Sequence, residues 1–156
     1  MITIEKLENS HINLVNSIQL GDDQVKFAAT AREFLLGGSD TTHLHVIKSN
    51  NDVVGFFKLD IAYSANYEFC TEGSIGLRTF ALDKNQQGKG LGTRAIKALF
   101  LYLKVNYEKY RSIYLTVNCK NFIAFSCYQK GGFEYTNEKY LGGAAGPQFI
   151  MRKKFA

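Results

Sequence analysis

Apolar and polar positions alternate from Ile2 to Leu7, the two-residue period of a strand with one buried face. Ser10 then offers a side-chain cap for a helix over 11–20, whose Ile12, Val15 and Ile18 fall on one face. Asp22 and Asp23 open a second helix that runs to about Leu36 and ends at Gly37-Gly38. Strand runs over 44–48 and 53–59 flank the polar turn Ser49-Asn50-Asn51-Asp52 and predict a hairpin. An acidic, aromatic loop over 63–73 leads into a strand over 74–82. The stretch 90–107 has helical period: Arg94, Lys97, Lys104 and Glu108 share one face, and Ala95, Leu99, Tyr102 and Leu103 take the other, so it must pack against a sheet. A short buried strand over 112–117, a helix over 122–130 stopped by Gly131-Gly132, and strands over 133–139 and 148–155 complete the chain, the last two joined by Leu141 to Pro147. The order is strand, two helices, three strands, helix, strand, helix, two strands, which is a mixed α/β fold.

Composition narrows the picture. A chain of 156 residues with 46% hydrophobic and 21% charged side chains has the make-up of one globular domain, residues 1–156, and not of a disordered segment. The longest nearly uncharged run, 98–103, is far short of the ~20 apolar residues that span a bilayer, and Glu5 and Lys6 stand where a leader needs apolar residues; no membrane partner is expected. Cys70, Cys119 and Cys127 form no paired framework and no zinc spacing, which predicts reduced thiols, a cytoplasmic protein and no metal. His43 and His45 alternate along one strand face, without an acid at helical spacing or a nearby cysteine to complete a metal site.

Charge is divided unevenly. Residues 1–82 carry six basic and ten acidic side chains, and residues 83–156 carry thirteen basic and four acidic. The basic half suits an anionic ligand and the acidic half an amine. Nucleic acid is excluded as the anion, because the basic residues are scattered and no arginine-rich arm or aromatic RNA-binding signature accompanies them.

The chemistry concentrates between the strand ending at Leu82 and the long helix, in Asp83-Lys84-Asn85-Gln86-Gln87-Gly88-Lys89-Gly90-Leu91-Gly92-Thr93. Alternating glycines let the backbone approach a ligand, and the first-turn N–H groups favour an anion such as pyrophosphate. A Walker A loop fails on spacing, since no lysine separates Gly92 from Thr93. A dinucleotide fingerprint fails because Thr93 and Asn118 stand near the places of its third glycine and its acid. The segment Gln87-x-x-Gly90-x-Gly92 resembles instead the acetyl-CoA loop of the GNAT superfamily of N-acetyltransferases. Downstream, 115–133 resembles that superfamily's strand, its Asn118-x-x-Asn121-x-x-Ala124 turn and its Tyr128-x-Lys130-x-Gly-Phe133 helix end.

The resemblance implies a mostly antiparallel central sheet of about six to seven strands flanked by about four helices, and acetyl transfer from acetyl-CoA, as co-substrate, to a primary amine. It implies that backbone N–H groups of Gln87, Gly88, Lys89, Gly90, Leu91, Gly92 and Thr93 hold the pyrophosphate, and that the strand Phe80-Ala81-Leu82 pairs with the pantetheine arm. Lys89 and Lys130 are candidates for CoA phosphates, Asn118 is a further cofactor-binding candidate, and the stripe Asn121, Ala124 and Tyr128 is the expected thioester wall. Asn121 equally suits an N-cap, and Lys89 and Lys130 equally suit solvated charge. Tyr128, at i+7 from Asn121, would protonate the departing thiolate, and an N–H near Ala81 or Leu82 would meet the oxyanion.

Gly76 stands where members with a strand carboxylate carry it. Glu72 is the nearest candidate base, with Glu68 and Asp60 further off, unless water takes the proton to backbone carbonyls. Cys119 as an acyl carrier needs more parts than direct attack of the amine in a ternary complex. Asp60, Glu68 and Glu72, with Tyr63, Tyr67 and Phe69, are expected to line an acidic aromatic pocket for a polyamine or amino sugar; a protein amine stays open. The rival to an enzyme is an acyl-CoA-binding sensor without turnover. Either a monomer or a homodimer fits this sequence.

Overall fold

A seven-stranded sheet organises the chain in the order β1-β2-β3-β4-β5-β7-β6. The strands are β1 (Ile2–Lys6), β2 (Thr42–Ser49), β3 (Asp52–Asp60), β4 (Ser74–Leu82), β5 (Ser112–Asn118), β6 (Glu134–Tyr140) and β7 (Gln148–Lys154). This computed structural model describes residues 1–27 and 29–156, with the side chains of Asp23, Lys26 and Phe27 excepted. Every strand pairing is antiparallel except β4 with β5, so the mixed, mostly antiparallel sheet inferred from the sequence is present. The β2–β3 turn needs only Asn50 and Asn51, both at positive φ (49° and 74°), the backbone that two-residue hairpins require and that asparagine tolerates.

The helices are α1 (Ile12–Asn16), α2 (Asp22–Phe27), α3 (Ala31–Leu36), α4 (Tyr63–Asn66), α5 (Leu91–Asn106) and α6 (Phe122–Gly131). Three differ from expectation. The first helix is short, follows a 3₁₀ turn, and is capped by reciprocal contacts of Glu8 and His11, not by Ser10; the Glu8 N–H donates to His11 Nδ1 at 3.0 Å. The single helix predicted over 22–36 is two helices, α3 being started afresh by Thr30, whose hydroxyl accepts from the Glu33 N–H (3.1 Å) while Glu33 accepts from the Thr30 N–H (3.2 Å). The aromatic loop contains α4.

Alternation along the strands gives the sheet two apolar faces. Ile47, Phe57, Ile75, Leu77, Ile113, Leu115 and Met151 bury against α5 residues Ala95, Ile96, Leu99 and Leu103, and Val46, Phe56 and Ala81 bury against Val15, Ile18 and Phe34 on the opposite face. A third cluster, Tyr63, Tyr114 and Ile150 with Tyr67, Phe69 and Tyr140, lies on that opposite face of β5 and β7. On the α5 face a buried polar pair ties helix to sheet: the Tyr102 hydroxyl bonds His45 Nε2 (2.9 Å) and the Tyr107 hydroxyl bonds His43 Nδ1 (2.7 Å).

The seam between β4 and β5 positions the site. Their parallel ladder covers only Ser74↔Ser112, Ile75↔Ile113 and Gly76↔Tyr114. Beyond it the strands diverge, so β4 from Leu77 to Leu82 and β5 from Leu115 to Asn118 border an opening in the sheet.

Candidate active site

A cavity of about 1210 Å³ passes through that opening, with residues of α5 and α6 on one face of the sheet and Tyr63, Arg78 and Tyr140 on the other. Its volume exceeds the roughly 300–1,000 Å³ of single small-ligand pockets, which suits a site for two substrates. At the α5 end Gly88 (φ 78°) and Gly90 (φ 71°) adopt left-handed backbone, and a Cβ on either would meet nothing within 4 Å. Gly90 caps α5 without a side chain. Among the described residues, no protein acceptor takes the N–H groups of residues 88–93. Six backbone donors without a protein acceptor among the described residues thus stand together at the positive end of a 16-residue helix. Gly92 has a second role: a Cβ there would lie 2.7 Å from Cys127 Sγ, so its absence lets α6 close on the first turn of α5.

On β4 the register with β3 slips between Phe56 and Lys58, so that Thr79 and Phe80 face Phe57 alone, and Thr79 sits at φ 55°. Positive φ is a strained conformation for a β-branched residue, and such bulges free ladder donors beside functional sites. Phe80 and Leu82 line the cavity. Ala81 points to the opposite face, into the cluster of Phe34 and Phe56, and lies off the cavity lining.

On α6, Asn121, Ala124 and Tyr128 share one cavity-facing stripe, as their spacing predicts. Asn121 Oδ1 accepts from the Ala124 N–H (3.3 Å), so it caps the helix as well. Asn118 donates to the Ala145 carbonyl (3.1 Å) and accepts from the Lys120 N–H (2.9 Å), fastening the loop between β6 and β7 to the end of β5. That loop thereby brings Ala145 to the lining with Gln148 and Tyr140. The Tyr128 ring is held edge-on by Phe80 (5.9 Å between centroids) and Phe133 (5.8 Å). Burial, and then the neighbouring Cys127, push its phenol above the ordinary tyrosine range, so it stays a neutral O–H donor. Among the described residues its hydroxyl has no hydrogen-bond partner. Lys130 lines the cavity, whereas Lys89 is exposed outside it.

The acceptor end differs from the acidic pocket anticipated above. Tyr63 and Tyr67 do line it, with ring centroids 4.4 Å apart, and Phe69 packs behind them. Glu68 and Glu72 are exposed and lie off the lining; Glu72 precedes β4 at the closed end of the β4–β5 seam, away from the opening. Asp60 is buried and spent: Oδ1 accepts from the Ala62 N–H (2.9 Å) and Oδ2 pairs with Arg78 (3.2 Å). A Cβ on Gly76 would run into the Tyr63 ring, so α4 fills with a tyrosine the space that a strand carboxylate would need. Burial first, then Cys70 and Tyr67, raise the Tyr63 phenol well above the usual range. Beside Arg78, and opposite it in register, Lys58 is held below the ordinary lysine range by burial and then by the Arg78 charge, with Glu33 acting the other way. Arg78, the bulge at Thr79 and the packing of Tyr63 over Gly76 escaped the sequence reading; the missing carboxylate at Gly76 was the one available sign that something else fills that space.

A parallel seam that opens into a cleft, unpaired N–H groups at the following helix and a free phenol on the wall define a fold and site for an acyl-CoA-dependent acyltransferase. The family model described as "Acetyltransferase (GNAT) family" matches residues 13–133, and the chain belongs to this family of acetyl-CoA-dependent N-acetyltransferases. It is 27% identical over 147 residues to a probable spermine N(1)-acetyltransferase of Bacillus subtilis subsp. natto, covering 91% of this chain and 93% of the relative. It is 26% identical to the spermine/spermidine N(1)-acetyltransferase of Bacillus subtilis strain 168 over the same shares. Among solved structures, an aminoglycoside acetyltransferase in complex with coenzyme A superposes with a TM-score of 0.81 at 19% identity, over 99% of this chain and 95% of that one. A spermidine N-acetyltransferase from Vibrio cholerae, in complex with CoA and spermine, reaches 0.71 at 16% identity, over 98% and 95%. At these identities the structures speak for the fold.

Proposed function

We propose that the protein transfers the acetyl group of acetyl-CoA to a primary amine by direct attack within a ternary complex. The observation that carries this reading is the set of unpaired N–H groups over 88–93, opening into the same cavity that Tyr128 lines. The pyrophosphate binds those donors, with Lys130 beside it, and the pantetheine arm enters the gap beside Phe80 and Leu82 as an added strand. This leads the thioester to the bulge, where a freed backbone N–H meets the developing oxyanion. The amine attacks the carbonyl carbon, and the C–S bond breaks as the tetrahedral intermediate collapses. The Tyr128 hydroxyl delivers its proton to the leaving sulfur. Asp22 is the only carboxylate among the described lining residues, and it is exposed to solvent. The proton lost by the amine therefore leaves through water, and water returns one to the Tyr128 phenolate.

The test pairs a thermal melt with a thiol-release assay. Acetyl-CoA should raise the melting temperature where NAD and ATP do little, and an amine should then release CoA. A melt that CoA does not move sinks the proposal, and binding without release for any amine favours a sensor.

A further inference from the structure

The cavity wall on the face away from α5 has a charge pattern that acetyl transfer alone does not require. Arg78 and Lys58 stand opposite each other on β4 and β3, where two like charges repel. Asp60 pairs with Arg78, and among the described residues no acid lies within ion-pair distance of Lys58. Lys58 lies off the cavity lining, with its ammonium against Gly37 at the end of α3, so among the described residues Arg78 is the cation of this wall. The Arg78 side chain is half exposed, and only Nη1 is engaged, so the rest of its planar donor fork remains open to the cavity it lines. The rings of Tyr63, Tyr67 and Tyr140 form the adjoining surface. Arg78 also immediately precedes the bulge residues, so an anion on its guanidinium and an amine at the thioester lie within reach of one small molecule.

Building on the acetyl-transfer reading above, we propose that the acceptor is an amine bearing a carboxylate and an apolar or aromatic body, of the α-amino-acid kind. Arg78 receives the carboxylate and the tyrosine surface receives the body. A polyamine brings further ammonium groups, which the Arg78 charge repels, to a wall where the carboxylate beside Arg78, Asp60, is already paired. Specificity against it comes from repulsion as much as from the new contact.

The experiment is thiol release by the full chain with acetyl-CoA and L-phenylalanine or L-methionine, each against its own amide, with spermidine and kanamycin alongside. The amides hold more neutral amine at a given pH, so that bias runs against the expectation. The carboxylate forms should lead in kcat/KM by about ten- to a hundredfold, the range of a charge-assisted hydrogen bond. Arg78→Gln should erase the difference while leaving the CoA-induced thermal shift intact. Because that variant orphans Asp60, the double variant Asp60→Asn/Arg78→Gln serves where the single one does not fold. Amides used as well as acids, spermidine or kanamycin preferred, no turnover of either amino acid by a chain that binds CoA, or a preference that survives loss of Arg78 would each overturn the proposal. Failure to bind CoA removes the acetyl-transfer reading itself.

Discussion

His45 predicts a specific acid sensitivity of the fold. The imidazole is fully buried between β2 and α5, stacked on Phe57 (5.0 Å, 5° between planes), with Nδ1–H donating to the His43 carbonyl (3.1 Å) and Nε2 accepting from the Tyr102 hydroxyl. Burial, the largest cause, and the nearby His43 and Lys6 charges lower its pKa from 6.5 to about 4, against a smaller raising effect of the His43 carbonyl. The unfolded chain therefore takes up this proton near pH 6.5 and the folded one only near 4. The stabilisation from keeping the ring neutral is fully present above pH 6.5 and is lost as pH falls towards 4, by about 3 kcal/mol at 1.36 kcal/mol per unit. Against a typical total of 5–15 kcal/mol, that is a large share. Urea unfolding of the wild type and of His45→Gln at pH 7.5, 5.5 and 4 measures it, because carboxylate titrations are common to both. The wild type should lose about 3 kcal/mol more than the variant across this span. Parallel losses would refute the assignment of acid sensitivity to this ring.

Acetyl-CoA at a hundredfold excess over its Kd should stabilise the fold by about 2.7 kcal/mol, measured by thermal melting, and Gly90→Val, which puts a branched side chain at φ 71°, should abolish that gain. Tyr128→Phe keeps the ring between Phe80 and Phe133 and should lower kcat by about 10²–10⁴ with CoA affinity nearly unchanged; a merely structural hydroxyl would instead cost roughly 0.5–1.5 kcal/mol of stability and spare kcat. Gly76→Ala should destabilise by about 1–3 kcal/mol in chemical denaturation, because the Tyr63 ring occupies the space of the new methyl.

Much of the frame was legible because it rests on local signals. The bounds of β4 were readable from apolar content between turn residues, and α5 from its face of Ala95, Leu99 and Leu103. The break before α3 was also written in the chain, as Thr30 three residues before Glu33, but the helical periodicity around it was the louder signal. The donor array was anticipated over 87–93 from the glycine spacing, one residue too early, because the Gln87 N–H donates to the Lys84 carbonyl (3.4 Å) at the end of the turn before it. The acceptor wall could not be anticipated, because it depends on α4 folding Tyr63 across Gly76 and on Asp60 reaching Arg78, contacts whose partners are separated by 13 and 18 residues. A count of acids in 60–72 says nothing of which are already neutralised.

The short β4–β5 seam also has a mechanical meaning. Three residue pairs joining two half-sheets act as a hinge, and beyond them no ladder joins β4 to β5. An occupant that spans this gap works as a strut, transmitting load from β4 to β5 where no ladder does. With acetyl-CoA placed in this gap as proposed above, stiffness follows the catalytic cycle: rigid while acetyl-CoA or CoA bridges the halves, compliant once the product departs. Amide exchange in β4 and β5 beyond Gly76 and Tyr114 should rise on each release, so that turnover and the elasticity of the sheet share one coordinate.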